Sequence, residues 1–526
     1  MVVVLELLPL LLLLPLALVV VIPIFHRRGR LPPSPIAIPI IGHFHLLGPL
    51  LHSSLRDLSL RWGPFFSLRL GYVPCVVVSS PELAREFLKT NELSFSSRID
   101  SATIDRLTYG SSMAFAPVEA YWKFIRKLTM NELLGNSPVR GLASLRTREL
   151  CHFLRILADK AERGEAANIS GELQQLTYAV IFQMVCGSAA AATSGMDRGR
   201  VEEARTVVRE VTKIFGEFNL SDYVWFPKRL DLQGFRKRTE EIFRRFDTLI
   251  EAVLCEREEL RRMRKGEEEE EGVKGTDFLD ILLDHLEDQK DENVPFTRLH
   301  VKGLIIDLFT AGTDTTAATT EWILSELINN PRVLQKAREE IDQVVGKTRL
   351  VNESDGPNLP YMQAIIKEVL RLHPVSPVIT RKCVKECKVG KYIIPVGTIL
   401  FVNNWAISRD PKYWESPLAF RPERFLQDHK EGSKIGIDIK GQHYELLPFG
   451  SGRKMCPGMN LAQQMLPTVA AAIIQCFDLN IADSLGHGSI LSMEEGSGLV
   501  IPRLHQLVCV PVARHSLFTT ILEPES

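Results

Sequence analysis

The chain has 526 residues, 45% of them hydrophobic, and its 63 basic and 64 acidic side chains leave a formal net charge of -1. That length admits several domains or one large helical body around a cofactor, and the balanced charge excludes the basic footprint of a nucleic-acid-binding protein. Nine cysteines, an odd count with no CxxC pair, argue against a disulfide framework and suit a reducing compartment. Cys383 and Cys387 stand four apart, without the histidine or second cysteine pair that a zinc site needs.

Val2 to Phe25 is almost continuously apolar, broken by Glu6, Pro9, Pro15 and Pro23, and is followed at once by Arg27, Arg28 and Arg30. About 20 apolar residues span a bilayer as a helix, and a basic flank stays on the cytosolic side. Residues 1–26 are therefore expected to be one membrane anchor, 27–42 a basic and proline-rich hinge, and 43–526 a single cytosolic catalytic body. Ser67 to Val78 reads as two short strands turning near Gly71, and Pro81 to Lys89 as a helix capped by Ser80. Ser96 to Pro117 has weak periodicity. The next helix begins at Tyr121 and sets Trp122 and Arg126 on one face.

Residues 147–218 read as helical, with an Ala/Ser/Gly-rich break at Gly187 to Gly195. Phe215, Phe218, Tyr223, Trp225 and Phe226 crowd the following stretch, as in a mobile roof with an apolar underside or a membrane-facing surface. Glu240 to Arg264 is a charged helix, and residues 266–275 an acidic, solvated and disordered loop. Val301 to Asn329 is a long helix. In its middle, Ala311 and Gly312 carry minimal side chains and leave a groove. Thr315 can donate a hydrogen bond to oxygen bound there, and Asp314 can feed it protons through water, an acid–alcohol pair suited to proton delivery. Further on, Glu368 and Arg371 lie three apart on one helical face.

The chain's most informative stretch is Phe449-Gly-Ser-Gly-Arg-Lys-Met-Cys456-Pro-Gly458. A cysteine thiolate is a strong axial ligand of haem iron. Gly450, Gly452 and Gly458 let backbone turn sharply and approach a porphyrin closely, Arg453 suits a haem propionate, and a helix starting near Pro457 points its positive end at the sulfur.

This stretch resembles the cysteine loop of the haem-thiolate cytochromes P-450, and the resemblance runs from the proline-rich hinge to the C-terminus. It implies a mainly α fold with smaller β-sheets, preceded by one N-terminal transmembrane helix, in the endoplasmic reticulum membrane with the catalytic body facing the cytosol. It implies haem b with Cys456 as the metal ligand. The cofactor would be held by Arg453, Arg126, Trp122, Arg381, Phe449, Ala311 and Gly312, with Asp314 and Thr315 as the catalytic pair. Glu368, Arg371 and Arg424 would form a buried structural network. Ile104, Leu107, Met113 and Phe115 would line the cavity from one side, Ser376, Val378, Ile379 and Thr380 from another, and Leu499, Val500 and Ile501 from a third. O2 and NADPH would be co-substrates. No flavin or nicotinamide fingerprint occurs, so electrons would come from a separate NADPH–cytochrome P-450 reductase. Lys123, Lys127 and Lys454 are candidate contacts with its acidic surface.

Within that family the chain resembles plant enzymes acting on flavonoids. Asn91-Glu-Leu-Ser-Phe-Ser-Ser-Arg98, Phe215-Gly-Glu-Phe218 with Asp231-Leu-Gln-Gly-Phe235, and Gly441-Gln-His-Tyr-Glu-Leu-Leu-Pro448 carry the likeness. The group includes flavone synthase type II, flavanone 2-hydroxylase, 2-hydroxyisoflavanone synthase and a pterocarpan hydroxylase. Arg126-Lys-Leu-Thr-Met-Asn-Glu-Leu133, Arg381-Lys-Cys-Val-Lys-Glu-Cys387 and Ser492-Met-Glu-Glu495 lean toward the isoflavonoid branch. Isoflavone-forming relatives carry Leu where this chain has Ser376 and Lys where it has Thr380, which favours oxidation of a flavanone at C2. Aryl migration to a 2-hydroxyisoflavanone, and hydroxylation of a pterocarpan or another phenylpropanoid, stay open.

Overall fold

In the computed structural model, the described residues are 31–187, 198–224, 231, 233–267, 277–288, 295–426, 436–481 and 490–514. The expected anchor at 1–26, residues 27–30 of the hinge, Trp225 and Phe226 lie outside them. Among the described residues no helix is long and apolar enough to cross a membrane.

The described strands, in chain order, are β1 (Phe65–Leu70), β2 (Val73–Val78), β3 (Ala167–Asn168), β4 (Val378–Lys382), β5 (Cys387–Val389), β6 (Tyr392–Ile394), β7 (Ile399–Asn403), β8 (Phe477–Ile481) and β9 (Val508–Ala513). The helices used below are α1 (Ala102–Leu107), α2 (Ala120–Thr129), α3 (Ile169–Cys186), α4 (Arg198–Phe215), α5 (Phe235–Glu267), α6 (Arg298–Asn329), α7 (Pro360–Leu372) and α8 (Met459–Cys476). The chain is mainly helical with small sheets. It divides into a smaller unit, Met1–Ile99 with Asn219–Leu230 and Val378–Ile407, and a larger one, Asp100–Phe218 with Asp231–Pro377 and Ser408–Ser526.

The smaller unit is built on a four-stranded sheet of order β1-β2-β7-β4. β1 and β2 pair antiparallel across a turn at Gly71, whose φ of 58° is left-handed. β7 pairs parallel to β2 and antiparallel to β4, and all five of its residues are buried, so it reads as an unbroken apolar run without the alternation of a half-exposed strand. The proline segment lies along this sheet. Ser67 donates its N–H to Pro33 O and its hydroxyl to Pro32 O, each at 2.7 Å. Prolines have carbonyls to offer and no N–H, which suits them to an edge.

The larger unit packs its helices around α6. Thr297 and His300 close a capping box at its N-terminus. Every residue from Val301 to Thr310 is buried, so this half is enclosed all round by neighbouring helices. α3, α4, α7 and α8 pack against α6, and α5 packs against α4 and α1. The sheet of order β3-β9-β8 belongs to the same unit. α5 continues to Glu267, two residues into the expected acidic loop, and the rest of that loop lies outside the described residues.

Glu368 and Arg371 on α7 are fully buried and paired twice, Arg371 Nε to Glu368 Oε2 at 2.7 Å and Nη2 to Oε1 at 2.8 Å. Arg424 Nε and the Arg421 N–H both donate to Glu368 Oε1, at 3.0 and 2.9 Å. Arg371 spends its remaining hydrogens on the carbonyls of Ser408, Pro417 and Ala419. The Glu368–Arg371 pair therefore holds α7 to the 408–424 segment, through contacts 37 to 48 residues beyond Arg371 and 53 and 56 residues beyond Glu368.

Candidate active site

The cysteine loop is a tight turn closed by its own backbone. Cys456 N–H donates to Phe449 O at 2.9 Å and Met455 N–H to Gly452 O at 3.0 Å. Gly450 and Gly452 take φ of 73° and 71°, which side chains other than glycine adopt only with strain. Cys456 is exposed, and α8 begins three residues later with Gly458 at its N-cap. The turn holds the thiol outward, just ahead of a helix N-terminus, where a thiolate is favoured.

Arg126 and an indole stand beside this loop, and the loop's own Lys454 reaches toward them. Arg126 donates Nη2 to Met455 O at 2.8 Å. Burial lowers its pKa, and the neighbouring Cys456 charge acts in the opposite direction. No carboxylate pairs with Arg126 among the described residues. Lys454 Nζ lies 4.7 Å from the centre of the Trp122 ring and donates to Ala116 O. Trp122 itself is buried and gives its Nε1–H to Met113 O at 3.0 Å.

The cation buried by the loop is thus Lys454, whereas Arg453 is exposed. This corrects one expectation: Lys454, being buried, does not belong to a partner-facing surface. Successive side chains of a tight turn point to different sides, and only the three-dimensional turn decides which is inside. Lys123 and Lys127 on α2 are exposed.

On α6, the buried run ends at Ala311, which is exposed in mid-helix. Gly312 is half-buried, and a Cβ placed on it would lie 2.7 Å from Ile181 Cδ1, so its small size also serves the packing of α3 on α6. Thr315 donates its hydroxyl to Ala311 O at 2.7 Å, the back-bond of a helical threonine. Asp314 Oδ1 is buried and has no hydrogen-bond partner among the described residues. Burial raises the Asp314 pKa, while a hydrogen bond from Thr212 and the charge of Arg209, both on α4, pull it back. Thr212 also lies 3.1 Å from Val208 O and has one proton to share between the two acceptors. A buried carboxyl beside an alcohol is the kind of pair that general acid catalysis uses.

The expected cavity residues separate. Phe115 meets Phe215 of α4 edge-on, centroids 5.7 Å apart. Gly216, the next residue, packs so closely on Leu499 that a Cβ there would come within 2.2 Å of its N. Leu499 is exposed and Val500 half-buried. Ile501 donates its N–H to Val375 O at 3.0 Å and its carbonyl accepts from Trp322 Nε1 of α6 at 3.1 Å, which brings exposed Ser376 beside the 499–501 segment. Phe115, Ser376, Leu499 and Val500 are therefore drawn together around α4 and α6. Ile104 is half-buried on α1. Leu107 is fully buried in the hydrophobic core, so it contributes packing and no cavity surface; Met113 is 5% exposed. Val378, Ile379, Thr380 and Arg381 belong to the smaller unit, on β4. The Arg381 guanidinium is buried, and its pKa is driven down by that burial and by Arg98.

The sequence reading missed Asp307. It is buried on α6 and accepts from Ser112 Oγ at 2.7 Å, Met113 N at 2.6 Å and Ala114 N at 3.2 Å. Burial pushes its carboxyl up to about 6, against the pull of Ser112, the two amides and the Lys454 charge. An aspartate inside an apolar helical run, at Leu304-Ile-Ile-Asp307, was the one available signal.

A family model described as Cytochrome P450 matches residues 32–510. The chain belongs to the cytochrome P450 family. Among its relatives, Cytochrome P450 93B16 of Glycine max is 53% identical over 491 residues, covering 92% of both chains. A 2-hydroxyisoflavanone synthase of Glycyrrhiza uralensis is 50% identical over 495 residues, again 92% of each. The 3,9-dihydroxypterocarpan 6A-monooxygenase of Glycine max is 45% identical over 498 residues, 94% of this chain and 95% of that one. The chain is an enzyme, a plant P450 of the flavonoid-oxidising group, and P450 membership implies a cysteine-ligated haem.

The residues present fit that group. An outward thiol on a closed turn can ligate iron, and a half-buried guanidinium without an acid partner suits a carboxylate on the cofactor. A bare alanine exposed in mid-helix leaves room for a small reactant.

Proposed function

We propose that this P450 catalyses the NADPH- and O2-dependent oxidation of a flavanone C-ring at C2, giving a 2-hydroxyflavanone or a flavone. Bound on Cys456, haem b would supply oxygen activation, with the thiolate push favouring O–O cleavage. Arg126 would hold its carboxylates with Lys454 close by, and Arg453 and Arg381 are assigned the same part by family resemblance. The observation that carries a reductase-dependent monooxygenase, rather than a peroxide-rearranging enzyme, is the buried Asp314 carboxyl with its unpartnered Oδ1 next to Thr315. Asp314 releases protons toward the space beside Ala311. Thr315 turns its hydroxyl away from Ala311 O to give a hydrogen bond there, and its helix keeps the usual backbone bond when it does. Phe115, Phe215 and Leu499 exclude water and seat a flat ligand by its faces.

Thr315→Ala protein is accordingly expected to consume NADPH at near the normal rate while product per NADPH falls about tenfold (~1.4 kcal/mol) and hydrogen peroxide rises. Unchanged coupling, measured as product and peroxide per NADPH, would leave Thr315 a helix residue only.

The choice of C2 rests on Thr380 and Ser376, where isoflavone-forming relatives carry Lys and Leu. A second reading, aryl migration to a 2-hydroxyisoflavanone, is favoured by the relatives of that name at 50% identity. Residues 1–26 would anchor the protein in the endoplasmic reticulum membrane with the body in the cytosol, as the apolar run and Arg27, Arg28 and Arg30 suggest. Electrons would arrive from a separate NADPH–cytochrome P-450 reductase. Microsomes carrying this protein and a reductase, given naringenin and liquiritigenin, are expected to yield a 2-hydroxyflavanone or flavone by mass spectrometry. A 2-hydroxyisoflavanone that dehydrates in acid to genistein would move the reaction to the second reading, and no conversion of either flavanone would reject the substrate class. Turnover undiminished without NADPH and reductase would reject the monooxygenase.

A further inference from the structure

Residues 108–116 run along α6 as a loop without regular structure, yet each end of its polar backbone is taken by a specific side chain. Three donors take its carbonyls: Tyr121 OH reaches Ser111 O at 2.5 Å, Trp122 Nε1 reaches Met113 O at 3.0 Å, and Lys454 reaches Ala116 O. One acceptor, the buried Asp307 carboxylate, takes the Met113 and Ala114 amides and the Ser112 hydroxyl. The seat is shaped for this. Gly303, one turn before Asp307, has Thr108 O 2.7 Å from the place of a Cβ, so any larger residue would push the loop off the helix. Ala311, one turn after Asp307, is exposed in mid-helix. The loop therefore docks over Gly303 and is fastened at Asp307. It then delivers Met113, Ala114 and Phe115 next to the spot where the helix opens.

We propose that Asp307 is a specificity-determining positioning residue, whose carboxylate sets the height and angle of the 113–115 backbone over Ala311 and so chooses which carbon of the flat substrate faces the reactive centre. The substrate identity in this statement rests on the flavanone reading above. The physical reason is that a carboxylate accepts from three donors at once, which no uncharged side chain of similar size can do. An asparagine keeps one oxygen and turns an N–H donor toward groups that are themselves donors. A shift of the loop near 1 Å is enough to redirect chemistry between neighbouring carbons.

The test compares wild type, Asp307→Asn and Ser112→Ala as haem-loaded protein. Ser112→Ala removes one donor and keeps both amide bonds, so it covers the case in which Asp307→Asn does not fold. Hydrogen exchange at the Met113 and Ala114 amides, binding of naringenin and of phenylimidazole by difference spectroscopy, and the ratio of C2 to C3 products are measured together. The expected result is faster exchange at these amides and a naringenin dissociation constant raised about tenfold in Asp307→Asn. The product ratio should change while NADPH consumption persists, and Ser112→Ala should move in the same direction by less. Faster exchange with unchanged binding and product ratio, or unchanged exchange in both variants, would overturn the proposal. If wild type gives no naringenin signal, the flavanone reading fails by itself. Phenylimidazole affinity then decides: altered in Asp307→Asn, it supports Asp307 as the residue that shapes the cavity; unaltered, it rejects it.

Discussion

Cys456→Ser protein is expected to lose turnover by about a thousandfold or more, equivalent to about 4 kcal/mol of transition-state stabilisation. The backbone that holds position 456 does not depend on sulfur: the N–H bond to Phe449 O and the left-handed Gly450 and Gly452 remain. Arg126 and Lys454 beside Trp122 also remain, so haem should still bind. What disappears is the thiolate, and with it the red-shifted Soret band of the reduced carbon monoxide complex. The measurement is that spectrum, taken on haem-replete protein beside the flavanone assay. A retained red-shifted band, or full turnover, would show that another group ligates the iron.

The second large effect is on folding. Glu368→Gln is expected to cost about 3–5 kcal/mol, the penalty for leaving buried charge without its partner. Glu368 accepts from Arg371 twice, from Arg424 and from the Arg421 N–H. Glutamine keeps one acceptor and presents an N–H to two guanidinium groups that only donate. Arg371 is fully buried against Trp414 and has no water to turn to. The expected outcome is little haem-loaded protein at growth temperature and a lowered unfolding midpoint in what is recovered. Wild-type yield and midpoint would mean that the network is dispensable. Because Arg424 is less buried than Arg371, Arg424→Lys should cost clearly less, and the order of the two variants is itself a check.

These two sites share a feature that separates them from Asp307. Cys456 and its glycines are neighbours in the chain, and Glu368 and Arg371 are one helical turn apart, so their chemistry is written within a few residues. Asp307 acts on Ser112, 195 residues earlier, and Lys454 on Ala116, 338 residues earlier. Only the apolar run around it sets Asp307 apart from a charge at a helix surface, and nothing local distinguishes Lys454 from a solvated lysine.

From the sequence alone came the family, the helical class, the cysteine loop, the adjacency of Asp314 and Thr315 on one helix, and the Glu368–Arg371 pair, because each is a pattern of residue type at short spacing. The tertiary structure alone decided which face each position presents. It exposed Ala311 and filled the bare side of Gly312 with Ile181, and it put Lys454 inside and Arg453 outside. It also placed Leu107 in the core and Phe115 against Phe215, and it left Asp314 Oδ1 buried without a partner under α4. The reason is geometric. Consecutive residues on a helix point about 100° apart, so periodicity says that a face exists, while the helix that covers it arrives from a distant part of the chain.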